Sequence, residues 1–302
     1  HEAVLGTNLG PRSPGSILTL LYKQAINEDI FNLNKIEVKK YINKLEDSCN
    51  KNSVEIIKCS EVNKILTQNN SVTGVQLKNG EFLESKCVIS NADPKTTYLN
   101  LLGAEILDTD FIRRTKNFRN KGNVAKLELV LENEININNI DKKIYGKFIY
   151  APSIKYIEHA FNANKYNKYS ENPCLEFYVN QNTISANVYY VPYLLNSNHD
   201  KNEIIKRCVS VLSKFIPDMK ISKEILITPN QMEEKYNIAG GHWHHGDLEI
   251  DQLLMMRPFY GSAQYSTPIN GLYLCSAGTH PGGGLTGING LNAAKKVIED
   301  FK

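Results

Sequence analysis

Apolar and polar positions along the chain switch several times between a helical and a strand period. Ile36, Tyr41 and Leu45 recur at helical spacing among Lys and Glu, which predicts an amphipathic helix ending near Asn50. Residues 54–57, Val-Glu-Ile-Ile, predict a strand. Two runs, 72–78 and 81–89, flank Asn79-Gly80, and this dipeptide accepts the positive φ angles of a tight turn, so the pair predicts a β-hairpin. The tract 90–94, Ser-Asn-Ala-Asp-Pro, then breaks the sheet. Further on, 126–131 and the aromatic-rich 185–193 read as strands and 204–215 as a helix, while the Asn-rich stretches 132–139 and 161–172 read as surface loops. Near the start, a turn-rich loop at 10–15 precedes an apolar run at 17–22 that could line a pocket. At the far end, Leu272, Tyr273, Leu274 and Cys275 are strand-like. Ile288, Leu291, Ile298 and Phe301 follow at helical spacing, with Ala293 and Ala294 small enough for close packing on a sheet.

Between that strand and that helix lies the most informative tract, Gly278-Thr-His-Pro-Gly-Gly-Gly284. Gly282, Gly283 and Gly284 carry no Cβ to block a ligand, and the helix that follows presents unpaired N–H groups and a positive dipole end to an anion. Gly282, Gly284 and Gly287 also match G-x-G-x-x-G by letter. A dinucleotide fingerprint needs a second strand after the helix and an acidic residue roughly 20 positions on. Glu299 and Asp300 fall inside the helix instead. The tract therefore predicts the last element of a nucleotide-binding domain whose first element is elsewhere. No Gly-Lys-Ser/Thr follows, so it is not a P-loop.

Arg257-Pro258, Tyr265-Ser-Thr-Pro-Ile269 and the run from Gly271 to Gly284 together resemble the C-terminal signature of the phytoene desaturase-like FAD-dependent oxidoreductases. Within them the chain is most similar to the branch named after pyridine nucleotide-disulphide oxidoreductase domain-containing protein 2. Weaker pieces of the resemblance reach Gly240-Gly241, His245, Asp251-Gln-Leu253, Glu61-Val62 and the tract 90–94. The resemblance implies a mixed α/β architecture: a glutathione-reductase-type FAD/NAD(P)-binding fold, incomplete here, with an inserted antiparallel-sheet substrate domain. Residues 25–105 would form the middle of the FAD-binding domain and 246–302 its C-terminal part. Residues 106–245 would be the substrate-binding domain, with 1–24 a linker or part of that lobe. The family's N-terminal strand, glycine-rich turn and helix for the FAD pyrophosphate have no counterpart in this sequence, so the chain is expected to be a C-terminal portion of a longer protein, or a trimmed gene model, that is inactive by itself.

The resemblance also assigns roles. The backbone around Val62 would meet the adenine edge and Asn91-Ala92 would lie beside the nucleotide-binding turn. Read as residues alone, Val62 is an ordinary core valine and Asn91 a turn former. Gly278, Thr279, His280, Pro281, Gly282, Gly283, Gly284 and Gly287 would border the cofactor; His280 could instead order the turn with Pro281, and Thr279 could donate a hydroxyl hydrogen bond. His245 matches the family's histidine after the double glycine, with proton transfer or a structural hydrogen bond both open. Arg257 would pair with pyrophosphate or, on the structural reading, with Asp251. Trp243 and Tyr265 are packing or substrate contacts.

The implied activity is removal of hydride from a small, largely apolar or lipid-like substrate to flavin. The alternatives are a nicotinamide-dependent oxidoreductase and a non-catalytic binding or regulatory protein that keeps the fold. The triple histidine of 242–245 suggests no metal site, because its spacing cannot turn all three rings one way and no carboxylate or cysteine pattern completes it. Six cysteines include no C-x-x-C pair, which fits reduced thiols inside a cell, in the cytoplasm or in mitochondria. With 35 basic against 32 acidic residues the net charge is +3 and no basic stripe argues for nucleic acid. No apolar run approaches the roughly 20 residues of a membrane span, which leaves peripheral membrane contact open. The 302 residues, 41% hydrophobic, suffice for a sizeable core.

Overall fold

The computed structural model describes residues 4–27, 38–138, 140, 146–195, 197–284 and 286–302; Ile36 and Asn139 lie outside them. The apolar run near the start is a helix, α1 (Ser16–Asn27), and the predicted amphipathic helix is α2 (Val38–Lys51). α2 buries none of its residues: Val38, Ile42 and Leu45 line up on one face and stay half-exposed. Residues 54–57 are a correction to the expected strand. They are extended but pair with no strand among the described residues, and Val54, Ile56 and Ile57 are exposed.

β1 (Val62–Gln68) and β2 (Ser71–Leu77) form a hairpin over Asn69 and Asn70, whose φ angles are 49° and 59°. Asn tolerates this left-handed geometry better than most residues. The Asn79-Gly80 turn carries β2 into β3 (Phe82–Glu84), as predicted, with Gln76 opposite Phe82. The run expected as one strand over 81–89 is in fact two. Its second half, β4 (Val88–Ser90), leaves the hairpin and pairs in parallel with β10 (Leu272–Leu274), Val88 opposite Leu272 and Ser90 opposite Leu274. A π-helical segment (Thr96–Gly103) and α3 (Thr109–Asn117) follow β4. Ile65, Val72, Tyr98, Leu102, Phe259, Leu272 and Leu274 share one core, so distant parts of the chain are packed together there.

The largest sheet is antiparallel with order β6-β7-β8-β5-β9: β5 (Val124–Leu131), β6 (Lys147–Tyr150), β7 (Cys174–Asn180), β8 (Thr183–Tyr189) and β9 (Ile221–Ile227). Alternation decides its faces: Ala125, Leu127, Leu129 and Leu131 point into a core with Ile204, Cys208 and Leu212 of α5 (Asn198–Leu212), while Lys126 and Glu128 take the other face. Ser197 starts α5 by accepting from Asp200 N–H, with Asp200 reciprocating, a capping box. β9 lies at the sheet edge and exposes Lys223 and Glu224, charges that discourage edge pairing.

The Asn-rich stretch 161–172 is not all loop, because its start belongs to α4 (Ile154–Lys165). Ile157, Ala160 and Phe161, at helical spacing, are buried against Val4, Leu5, Leu9 and Tyr190, while the asparagines sit outside. After β9 come α6 (Pro229–Tyr236), whose Asn237 cap is left-handed, and α7 (Ile288–Asp300). α7 buries Asn289 and Ala293. Leu291 and Ile298, and Phe301 just past its end, expected at helical spacing, are all more than half exposed, and Ala294 is exposed too. Among the described residues no helix is long and apolar enough to cross a membrane.

Candidate functional site

The site is organised by the carboxyl ends of β4 and β10. Cys275 N–H donates to Ser90 O (2.9 Å), and beyond that bond the two chains diverge. Asn91 and Cys275 still lie side by side, Cys275 Sγ 3.8 Å from Asn91 Oδ1. The crevice outside the carboxyl ends of parallel strands is where open α/β sheets bind ligands, because the backbone opens there and loops converge.

On the β4 side, Asp93 is 1% exposed and fixes the loop. Its carboxylate accepts from Thr96 N (3.0 Å), Thr96 Oγ1 (2.5 Å) and Ala239 N (3.3 Å), joining the start of the π-helical segment to the loop after α6. These segments enclose a cavity of about 650 Å³, a size that suits a cofactor or small ligand. Val62, Asn91, Ala92 and His245 all line it. At its rim Lys78 Nζ pairs with Glu61 Oε1 at 2.6 Å.

His245 enters this cavity from a strained backbone, φ 55°, held by its N–H to His242 O (2.7 Å). Its Nδ1 is buried without a hydrogen-bond partner among the described residues. Burial pushes its imidazole below the ordinary histidine value, with Asp93 pulling the other way. His244, deeper, is driven further down by burial and by neighbouring positive groups. His242 accepts His244 N–H at Nδ1 (3.2 Å), which assigns the ring proton to Nε2 in the neutral form. That Nε2 lies 3.1 Å from Asp247 Oδ1, off the direction of a proper hydrogen bond, with both side chains 2% exposed. No group of three or more His, Cys, Asp or Glu side chains with metal-holding geometry occurs among the described residues.

On the β10 side the chain coils before α7. Thr279 is fully buried; its hydroxyl donates to Ser276 O (2.8 Å), so it serves the turn. Asn289 Nδ2 on α7 reaches Ser276 O, Thr279 O, Thr279 Oγ1 and His280 O at 2.9–3.3 Å, stapling the helix to the turn. His280 Nδ1 is 3.0 Å from Tyr22 Oη, which also donates to Pro281 O (2.6 Å), and Tyr265 Oη donates to His280 O (2.5 Å). Burial raises Tyr22 to about 12 and lowers His280. Two glycines serve internal contact: a Cβ on Gly278 would lie 2.4 Å from Pro94 Cδ, and one on Gly283 would lie 2.7 Å from His244 Nδ1. Gly282, Gly284 and Gly287 have φ of 106°, 129° and 67°, and Gly287 precedes α7 with no side-chain cap.

Arg257 joins the two halves. It is fully buried and donates six hydrogen bonds of 2.6–3.3 Å to the carbonyls of His244, Gly246, Asp247, Gln252 and Ala277. Burial lowers its guanidinium to about 10, with Tyr22 and Asp247 opposing. The expected Arg257–Asp251 pair is absent. Asp251 is instead held by Arg119 at 2.6 and 2.8 Å, because Arg257 faces inward and Asp251 outward. The sequence-predicted residues thus fall into two groups, Val62, Asn91, Ala92 and His245 at the cavity and Gly278 to Gly284 with Gly287 at the turn. Asp93, Tyr22 and Asn289 were given no site role by the sequence; the signals available were Asp93's place in the 90–94 tract, Tyr22's place at the end of the apolar run 17–22, and Asn289's nearness to the glycine tract.

No family model matches the chain. The mouse (Mus musculus) pyridine nucleotide-disulfide oxidoreductase domain-containing protein 2 is 28% identical over 257 residues, 76% of this chain and 44% of the relative. The chain is a homologue of oxidoreductases. A more distant relative is phytoene desaturase (lycopene-forming) of Pantoea ananas, 23% identical over 82% of this chain and 52% of the desaturase. Among solved structures, an oxidoreductase from Methanosarcina mazei aligns with a TM-score of 0.48 and 14% identity, covering 86% of this chain and 54% of that one. The chain spans about half the length of the curated relatives it matches.

Proposed function

We propose that the protein is an FAD-dependent oxidoreductase of the phytoene desaturase-like kind that takes hydride from a largely apolar substrate. The observation that carries this reading is the convergence of Val62, Asn91, Ala92 and His245 on one cavity at the carboxyl ends of β4 and β10. His245 also keeps a buried Nδ1 without a hydrogen-bond partner among the described residues, a group that a small movement of the ring would offer to a ligand. When bound, FAD supplies the group that accepts the hydride. The chain's own residues bind and orient: the 91–92 backbone borders the ligand, His245 holds a hydrogen bond or a proton at Nδ1, and Tyr22, Tyr265 and Asn289 keep the glycine turn in register. At the α7 N-terminus Thr286 Oγ1 accepts from Ile288 N–H (3.3 Å) and Gly287 adds no side chain, which leaves room for an anionic portion of the ligand. An open apolar cleft of about 250 Å³ lined by Val4, Ile17, Leu20, Ile154 and Ile157 suits an apolar substrate chain.

In this reading 25–105 and 246–302 build the FAD-binding domain, 106–245 the inserted substrate lobe, and 1–24 joins that lobe. The core shared by Ile65 and Leu274, the separate core of the five-stranded sheet and the packing of Leu5 on α4 support it. The pyrophosphate-holding strand and turn are contributed from outside the described residues. The unpaired extended 54–57, the exposed apolar faces of α2 and α7, and relatives about twice as long support this. The chain by itself is then expected to hold FAD weakly and the intact protein to carry it. The test is the flavin content of the purified intact protein and the anaerobic bleaching of its visible band by apolar substrates. Intact protein that is colourless and takes up no added FAD contradicts the proposal.

A further inference from the structure

Asn79-Gly80 does more than turn the chain, because an asparagine followed by glycine can close on its own backbone. Three such dipeptides occur, Asn79-Gly80, Asn270-Gly271 and Asn289-Gly290. The glycine nitrogen reaches the asparagine Cγ only where no Cβ stands in the way and the two residues can rotate together. At Asn79 both conditions hold. Asn79 and Gly80 are exposed at the tip between β2 and β3, and a Cβ placed on Gly80 would meet nothing within 4 Å. Asn79 Oδ1 accepts from Glu81 N–H (3.0 Å), which folds the side-chain carbonyl forward over Gly80 and polarises it as an electrophile. One bond opposes the attack, Gly80 N–H to Leu77 O at 3.0 Å, and an exposed hairpin tip opens at little cost.

The other two dipeptides are held. Asn270 is exposed, but its backbone is pinned on both sides: Asn270 N–H donates to Asn70 O (3.0 Å), Asn270 O accepts from Val72 N–H (2.9 Å), and Gly271 O accepts from Val88 N–H (2.8 Å). A Cβ on Gly271 would collide with Lys86 O, so there is no free space around the attacking residue. Asn289 is 9% exposed and lies on α7, and its Nδ2, the atom that would have to leave, makes the contacts of 2.9–3.3 Å that staple the helix to the glycine turn.

We propose that Asn79 is a site of spontaneous covalent modification, its side chain closing onto Gly80 and reopening as isoaspartate or aspartate. The Gly80 N–H proton passes to solvent, the nitrogen bonds to Asn79 Cγ, and the Cγ–Nδ2 bond breaks as Nδ2 takes up a proton and leaves as ammonia. Water then opens the cyclic imide at either carbonyl and restores the Gly80 N–H, so that one water enters and one ammonia departs with no oxidant or cofactor. Opening at the backbone carbonyl gives isoaspartate, whose main chain is one methylene longer than the turn that now lets Leu77 N–H donate to Glu81 O (2.9 Å). Opening at Cγ gives aspartate. Either product adds a negative charge next in the chain to Lys78, whose Nζ pairs with Glu61 at the rim of the His245 cavity. The assignment does not depend on the flavin reading.

The test is incubation of the folded, intact protein in heavy-oxygen water at warm, mildly alkaline pH, followed by peptide mapping in a mass spectrometer. The Asn79 peptide should take up heavy oxygen as two products, isoaspartate and aspartate, told apart by fragmentation. Asn270 should react at least about tenfold more slowly and Asn289 more slowly still, because more native hydrogen bonds must open at each. In urea the three should converge to within a few-fold, since only the folded chain distinguishes them. Asn270 or Asn289 keeping pace with Asn79 in the folded protein, heavy oxygen at Asn79 only in urea, or aspartate as the sole product at Asn79 would each overturn the assignment.

Discussion

Replacing Arg257 tests whether the two halves of the site are held by one buried cation. Arg257→Met keeps most of the side-chain length and removes every donor. The carbonyls of His244, Gly246, Ala277 and Gln252 then lose an N–H partner, and that of Asp247 keeps only a 3.4 Å contact from Gln252 Nε2. An unsatisfied buried polar group costs about 1–3 kcal/mol, which for several carbonyls gives a gross loss well above 5 kcal/mol. Two effects reduce it: the guanidinium no longer has to be desolvated, and water can reach part of the loop. A net loss of about 3 kcal/mol remains, or roughly 10 °C in melting temperature for a domain of this size. Arg257→Lys should fall between, because one ammonium cannot reach both the 244–247 loop and Ala277. Thermal melting gives the magnitude, and hydrogen exchange at 244–247 and 276–279 gives the location, faster in the Met variant than elsewhere in the chain. A Met variant that melts within about 1 °C of the wild type, with unchanged exchange, refutes the clamp.

Three further predictions follow from the same geometry. Burial holds His244, His245 and His280 below the ordinary histidine value. The unfolded chain therefore takes up protons first below about pH 6.5, and stability falls as pH drops from there toward the folded-state values; His244→Gln should flatten the melting-temperature slope between about pH 7.5 and 5.5, and an opposite or unaltered slope counts against it. Asn289→Ala removes the staple between α7 and the turn and should cost about 1–3 kcal/mol in a melting experiment; a neutral result would mean the turn is held by Tyr22 and Tyr265 alone. Gly284, at φ 129°, should lose about 1–3 kcal/mol on substitution by Ala, and Gly284→Val in the intact protein should also abolish flavin retention; a lower melting temperature with full flavin would reject the cofactor role of this turn.

The strand–turn–helix from Leu272 to Asp300 was legible because an apolar run, a glycine cluster and a helical period follow one another locally. So was the turn at Asn79-Gly80. What lay past it was not, since β4 and β3 share one alternating run and only the distant β10 pulls β4 away. β1 was missed because Asn63, Lys64 and Thr67 mask the single fully buried Ile65. α4 was hidden by asparagines on its exposed side, although Ile157, Ala160 and Phe161 carried the helical period. At the site, the glycines were legible from residue type and position, whereas His245 and Asn91 were reached only through the family resemblance. The roles of Arg257 and Asp93 depend on carbonyl and N–H groups supplied by distant segments, which no local pattern encodes.

Whether a flavin occupies the cavity at the ends of β4 and β10 is decided by the FAD affinity of the intact protein, followed by quenching of flavin fluorescence, for the wild type and for Ala92→Trp. Ala92 lines the cavity and is only partly buried, so an indole there fills the ligand's space without disturbing a packed core. The wild type should bind FAD tightly, and the Trp variant should lose at least about a hundredfold, nearly 3 kcal/mol, at an unchanged melting temperature. Equal FAD binding by the two proteins would place the flavin elsewhere and contradict that occupancy.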